Sequence, residues 1–356
     1  MGMIGVLVAL LAAACGGRAV ADGASSGGTG GGAGAANADS GAKPNTQCIS
    51  ASDGKTLLAT GLRAVDHVAG PLAPGDPIVV REYADQPRIH LIDPQTCEET
   101  VETLPEGSSI PIALGDVLVW IDASGARMRV LSSRFEAPLR TRATPIALHA
   151  DGNALYLISA EVGPDWKIAD NREVHTIFID RLLRSGIGGP DGPKTLTALD
   201  VSTLPWWNGV RVAGSELVLA FGFSYQQLDV SDGQYVARLR MDTLTSQWFQ
   251  LDAVSNFVVD EGSVLVQRSA DLLLFLSSGD GMLLRANLDH LALSGVASGY
   301  VIAADSWNDR KLLALGLDGR EPRVLADQVS SMGAVSVSQD RVYWANSANE
   351  LWTMMP

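Results

Sequence analysis

Short apolar runs alternate along the chain with clusters of Gly, Asp, Asn, Ser and Pro. No 3.6-residue apolar period is sustained past Cys48, so the pattern predicts few helices. Five runs are nearly all apolar rather than alternating: DVLVWI (116–121), NALYLI (153–158), ELVLAF (216–221), LLLFL (272–276) and YVIAA (300–304). Strands of that kind are covered on both faces, as when sheets stack against one another.

The runs repeat. Seven hairpins are expected, around Gly75-Asp76, Gly115-Asp116, Asp151-Gly152-Asn153, Gly214-Ser215, Glu261-Gly262-Ser263, Ser298-Gly299 and Gln339-Asp340. Their spacing is about 35 to 60 residues, centred near 40, the period of a propeller blade. A second class of turn follows each third strand, at Ile92-Asp93-Pro94, Met241-Asp242-Thr243 and Leu317-Asp318-Gly319, and leads into CEETVETL, SQWFQL and EPRVLA. Four strands per repeated unit define an all-β fold, a β-propeller of seven four-stranded blades. Six or eight blades stay open, because two units carry insertions.

The last unit supplies GAVSVS, RVYWAN and ELWTMM and then lacks a fourth strand. The missing piece stands at the other end of the chain. Leu57–Ala69 aligns without gaps on Val324–Ser336, so residues 55–60 are expected to be the outer clasp strand of the final blade. A ring closed by both termini leaves no free end sheet.

The start of the chain bears on compartment. Met1–Ala14 is apolar and ends at Cys15, too short to span a bilayer, which takes about 20 helical residues, but the size of a signal h-region. Ala12-Ala13-Ala14-Cys15 resembles the lipobox of bacterial lipoproteins, with Leu11 one place earlier than usual and no basic residue before Arg18. That resemblance implies cleavage before Cys15, acylation of its thiol, and anchoring to the cell envelope, at the outer membrane. An ordinary secretory signal cut at an Ala-x-Ala-like site is the alternative, and export follows from either. Residues 15–47 are dominated by Gly, Ala and Ser and form a flexible tether of about 30 Å random-coil span. The expected divisions are therefore 1–14, 15–47 and 48–356.

Three cysteines occur. With Cys15 taken by lipid, Cys48 and Cys97 remain as a disulfide pair in an oxidising compartment. Zinc is the rival reading, and the pair lacks nearby His at ligand spacing. Such a bridge would staple the ring's closure to the first blade, worth up to about 4 kcal/mol in the chain-entropy model. The net charge of −14 and the absence of a Lys/Arg cluster argue against nucleic acid and against a polybasic membrane surface.

At Val342-Tyr343-Trp344-Ala345-Asn346 the chain resembles the TolB-like propellers of predicted bacterial lipoproteins. The resemblance implies a fold and carries no catalytic residue. Catalytic signatures are otherwise lacking: the five His (67, 90, 149, 175, 290) have no metal-ligand spacing, and no cofactor motif occurs. Ser52–Lys55 matches Ser-x-x-Lys by chance. The Asp residues after strands (Asp93, Asp122, Asp200, Asp242, Asp318) are expected to bond their own backbone rather than a metal.

Propeller geometry puts second-to-third-strand loops and blade connections on one face. Two long loops, 160–172 and 222–234, fall there in adjacent blades, with Trp206 and Trp207 on the connection between them. Asp165, Trp166, Lys167, Trp206, Trp207 and Tyr225, with Trp307 at the rim, form the candidate binding patch for a protein, peptide or glycan. The alternative is that these Trp plug gaps between blades. The function expected is a non-catalytic binding or scaffold lipoprotein; a propeller hydrolase or lyase acting on carbohydrate is the competing class.

Overall fold

The computed structural model describes residues 48–356 apart from 85, 163–174, 188–192, 202–209, 214–215, 224–232, 241–245, 252–253, 261–262, 269–270, 276–280, 286–290, 306–309 and 318–319. The chain divides into two units, Met1–Pro44 and Asn45–Pro356, and the described residues belong to the second.

Twenty-nine strands are assigned among the described residues. The chain opens with β1 (Ile49–Ser50) and β2 (Thr56–Ala59). Six four-stranded antiparallel sheets follow in chain order. They are β3 (Val65–Ala69), β4 (Ile78–Glu82), β5 (Arg88–Ile92), β6 (Glu99–Thr103); β7 (Ile112–Leu114), β8 (Val117–Asp122), β9 (Gly125–Val130), β10 (Phe135–Pro138); and β11 (Thr144–Ala150), β12 (Ala154–Val162), β13 (His175–Leu183), β14 (Lys194–Val201). Then come β15 (Val210–Ala213), β16 (Glu216–Phe223), β17 (Gly233–Arg240), β18 (Ser246–Leu251); β19 (Val254–Asp260), β20 (Ser263–Arg268), β21 (Asp271–Phe275), β22 (Gly281–Arg285); and β23 (Leu291–Ala297), β24 (Tyr300–Asp305), β25 (Leu312–Gly316), β26 (Arg323–Ala326). The last strands, β27 (Val335–Ser338), β28 (Arg341–Ala345) and β29 (Leu351–Met354), join β2 and β1 in a five-stranded sheet ordered β1-β2-β29-β28-β27.

Innermost strands touch from sheet to sheet: β3 meets β27, and β7 with β11, β11 with β15, β15 with β19, β19 with β23 and β23 with β27 continue the circle, while β4 packs on β7. The ring closes through the mixed sheet, with Thr56 opposite Thr353 and Leu57 opposite Trp352. The clasp strand therefore lies where the repeat alignment puts it. The expectation of seven four-stranded blades is corrected on strand number: six sheets have four strands, and the closing sheet has five. The extra strand is β1, two exposed residues that no periodicity could announce. Cys48 precedes β1 and the Ala51–Lys55 turn.

The apolar second strands divide their side chains between two neighbours. In β20, Val264 and Val266 pack toward Val218 and Phe257, whereas Leu265 packs toward Leu293, Val301 and Leu315. A period of two on a strand covered on both faces produces that split. Burial peaks at the second strands: β28 is nearly all buried, while innermost β27 and β11 and outermost β6 and β26 have one buried residue each and β10 has none.

All seven expected hairpins fall between a first and second strand that pair with each other, with Gly214, Ser215, Glu261 and Gly262 themselves outside the described residues. At Ser298-Gly299 and Gln339-Asp340 both turn residues have positive φ, the geometry whose twist matches the flanking strands. Near the axis the inner strands crowd: a Cβ on Gly295 of β23 would sit 2.6 Å from Cβ of Val337 on β27.

Candidate functional site

Asp165, Trp166, Lys167, Trp206, Trp207, Tyr225 and Trp307 all lie outside the described residues, as does Cys15. The strands that carry the long loops are described. β12 and β13 pair out to Val162 opposite His175, and β16 and β17 out to Phe223 opposite Gly233. These are the second and third strands of consecutive sheets.

Of the Asp residues set aside from metal binding, Asp93 accepts from the amides of Gln95 (2.7 Å) and Thr96 (2.9 Å), and Asp122 from the amide of Ser124 (2.7 Å). Burial pushes the Asp122 carboxyl up, but the Ser124 hydroxyl and amide and the Trp120 indole N–H outweigh it and hold it below the usual range. Asp200 departs from the turn reading, because it pairs with Thr176 inside β14. Asp242 and Asp318 lie outside the described residues. Among the described residues no group of three His, Cys, Asp or Glu side chains could hold a metal ion.

The Cys48–Cys97 disulfide is present, with the two Cα atoms 5.5 Å apart. It links the edge of the five-stranded sheet to the β5–β6 turn. Cys97 is buried among Leu58, Leu62, Val80, Ile92 and Leu351. That cluster is the seam between the closing sheet and its neighbour.

A groove of about 340 Å³ opens at the other seam of the closing sheet. One wall is β26 (Val324, Leu325, Ala326) with Asp327; the other is Ala51, Asp53 and Lys55 of the β1–β2 turn. Trp344, Asn346 and Trp352 line it between them. The Trp352 indole N–H donates to Glu350 Oε2 (3.0 Å), which also accepts from Asn346 Nδ2 (2.8 Å), and Lys55 Nζ stands 2.7 Å from Asp53. Sequence reasoning missed this groove because its walls come from the two ends of the chain and meet only on closure.

Buried charge clusters brace the ring among the described residues, Glu102 with Arg129 and Arg134 being one. On β4, β5 and β6, His90 lies between Glu82 and Glu99, all three at most 8 % exposed. Its Nδ1 bonds Glu99, and its Nε2 is 3.1 Å from Glu82 Oε1 without hydrogen-bond alignment. Glu82 also accepts from the Arg63 amide (2.5 Å) on the link from clasp to first sheet. On the hairpin side, fully buried Asp76 accepts from the amides of Ala73 (2.9 Å) and Gly115 (2.7 Å) and holds Arg184 bidentately. Arg184 follows β13, so this one carboxylate ties three consecutive sheets together.

No known protein family and no curated protein sequence matches the chain. Solved structures do. The β-propeller domain of the Trilobed protease from Pyrococcus furiosus overlays with a TM-score of 0.55 at 11 % identity, over 83 % of this chain and 96 % of that one. The fold is a β-propeller. The acylaminoacyl peptidase of Pyrococcus horikoshii gives 0.53 at 10 % identity over 79 % of this chain, which spans 49 % of the peptidase. BamB from Moraxella catarrhalis gives 0.47 at 15 % identity, over 87 % and 96 % of the two chains. The Pyrococcus furiosus propeller is described as having an open velcro topology, whereas here β2 pairs with β29 and closes the ring.

Proposed function

We propose that the chain is an exported lipoprotein, acylated on Cys15, whose propeller is a non-catalytic binding or scaffold module at the bacterial cell envelope. The single observation that carries export beyond the leader sequence is the Cys48–Cys97 bond, since structural disulfides persist in oxidising compartments. The propeller is a rigid platform, braced by buried ion pairs across three sheets, and such platforms bind through the loops they hold. The long-loop face, with Trp166, Trp206 and Tyr225, is the proposed docking face for a protein, peptide or glycan. We count the five-stranded sheet as a blade of its own, which makes seven in the ring.

A hydrolase or lyase needs an acid–base pair open to substrate. The imidazole–carboxylate cluster at His90 is sealed between sheets instead.

Metabolic labelling with an alkynyl fatty acid, followed by membrane fractionation, tests the anchor. The wild type is expected in the membrane fraction with label, and Cys15→Ser in the soluble fraction without it. Unlabelled wild type, or Cys15→Ser still in the membrane, refutes the anchor. A photo-crosslinker at position 166 tests the docking face: adducts lost on Trp206→Ala/Tyr225→Ala are expected, and adducts unchanged by that pair reject the patch.

A further inference from the structure

β2 and β1 are attached to the ring in different ways. β2 buries Leu58 and Ala59 and pairs with β29 at Thr56, Leu57 and Ala59. β1 offers two exposed residues and two pairings, Ile49 with Leu57 and Ser50 with Thr56. Consider tension on the chain before Cys48. Without a crosslink it would peel β1, run through the Ala51–Lys55 turn and arrive at Thr56, the end of the clasp strand. The β2–β29 pairs would then break one at a time, and the ring would open.

The disulfide diverts that path. Tension reaching Cys48 passes through sulfur to Cys97, and residues 49–96 carry none of it. Cys97 is a firm landing: 2 % exposed, packed in the seam core, in a turn held by several hydrogen bonds. They include the Asp93 amide to Glu98 O (2.9 Å), the Cys97 amide to Asp93 O (2.9 Å), and the Gln95 and Thr96 amides to Asp93 Oδ1. The strands behind the turn, β5 and β6, pair over five residues.

We propose that Cys48–Cys97 is a redox-conditional strain relief, shielding the clasp strand from any pull on the preceding segment and exposing it when reduced. A dithiol reductant removes the shield. Its thiolate attacks Sγ of half-buried Cys48 to give a mixed disulfide, and Cys97 leaves as a thiolate that takes up a proton. The reductant's second thiol, losing a proton, then attacks its own mixed-disulfide sulfur, Cys48 leaves as a thiolate that is protonated in turn, and the reductant departs as a cyclic disulfide. Anchoring through Cys15 is one source of tension, but the inference holds for any other and survives if the anchor reading fails.

Single-molecule pulling on the full chain tests it, with one handle at the N-terminus and one on an azido-phenylalanine replacing exposed Phe135. The reduced protein and Cys48→Ser/Cys97→Ser are expected to show an early low-force step of roughly 5 nm, the extension of residues 48–64. The oxidised protein is expected to lack that step and to yield first at a higher force and with a different extension. The same early step in the oxidised protein, or its absence from both the reduced protein and the double variant, overturns the proposal.

Discussion

Arg184→Ala should cost the ring about 3–5 kcal/mol, the range for breaking a buried ion pair by removing one partner. The size follows from where the charge is left. Asp76 is fully buried, and without the guanidinium it keeps only two amide donors, Ala73 at 2.9 Å and Gly115 at 2.7 Å. The reverse change is milder on the charge side, because the Arg184 side chain is 31 % exposed and water can solvate it once freed. Asp76→Ala instead strips both amides of their acceptor, so its cost is about 2–4 kcal/mol. The double variant removes the buried anion and its partner together and should cost little more than Asp76→Ala alone. That leaves a coupling energy of about 2 kcal/mol or more. Urea unfolding followed by tryptophan fluorescence reads all four proteins, compared near their midpoints. If Arg184→Ala costs under about 1 kcal/mol, or the two single costs simply add in the double variant, Asp76 and Arg184 do not form the knot that ties the three sheets.

Two further outcomes are expected. Burial, then the neighbouring Asp151 carboxylate and the hydrogen bond to it (3.0 Å), push the Tyr156 phenol well above its ordinary value near 10. The folded protein thus holds that proton more tightly than the unfolded chain, so stability is full below pH 10 and falls as pH rises through the folded value. Urea midpoints between about pH 9 and 11 should fall less steeply for Tyr156→Phe than for wild type, and parallel curves would refute this. Gly295→Ala forces a methyl to 2.6 Å from Val337 Cβ and should lower the urea midpoint by a cost of about 1–3 kcal/mol, and Val337→Ala in the same chain should restore only a small part of it, because alanine keeps that Cβ.

How much was legible depended on depth in the ring. Second strands such as DVLVWI and YVIAA were readable because both their faces are covered, leaving an unbroken apolar run. Outer strands such as FEAP of β10 were not, because an exposed strand carries little apolar signal. CEETVETL, SQWFQL and EPRVLA were found through the turns before them, and the clasp through the repeat. Leu58 and Leu325 occupy equivalent places in the Leu57–Ala69 and Val324–Ser336 segments and are both buried, at 2 % and 4 % exposure. The repeat therefore preserved a pattern that composition alone would have missed. The disulfide was legible by counting cysteines, whereas the groove beside Trp352 was not.

By itself the sequence determined the strand-rich class, the seven inner hairpins, the pairing of Cys48 with Cys97 and the use of the N-terminal segment to complete the last sheet. Those are local or repeated features, written as turn residues and unbroken apolar runs. Tertiary structure decided which polar groups meet. Asp76 and Arg184 are 108 residues apart and share a knot only because three sheets turn their hairpins to one side. Structure alone likewise showed the fifth strand and the groove made from both ends of the chain. An apolar run states that side chains are buried, but not which neighbouring sheet buries each, and only closing the ring supplies that neighbour.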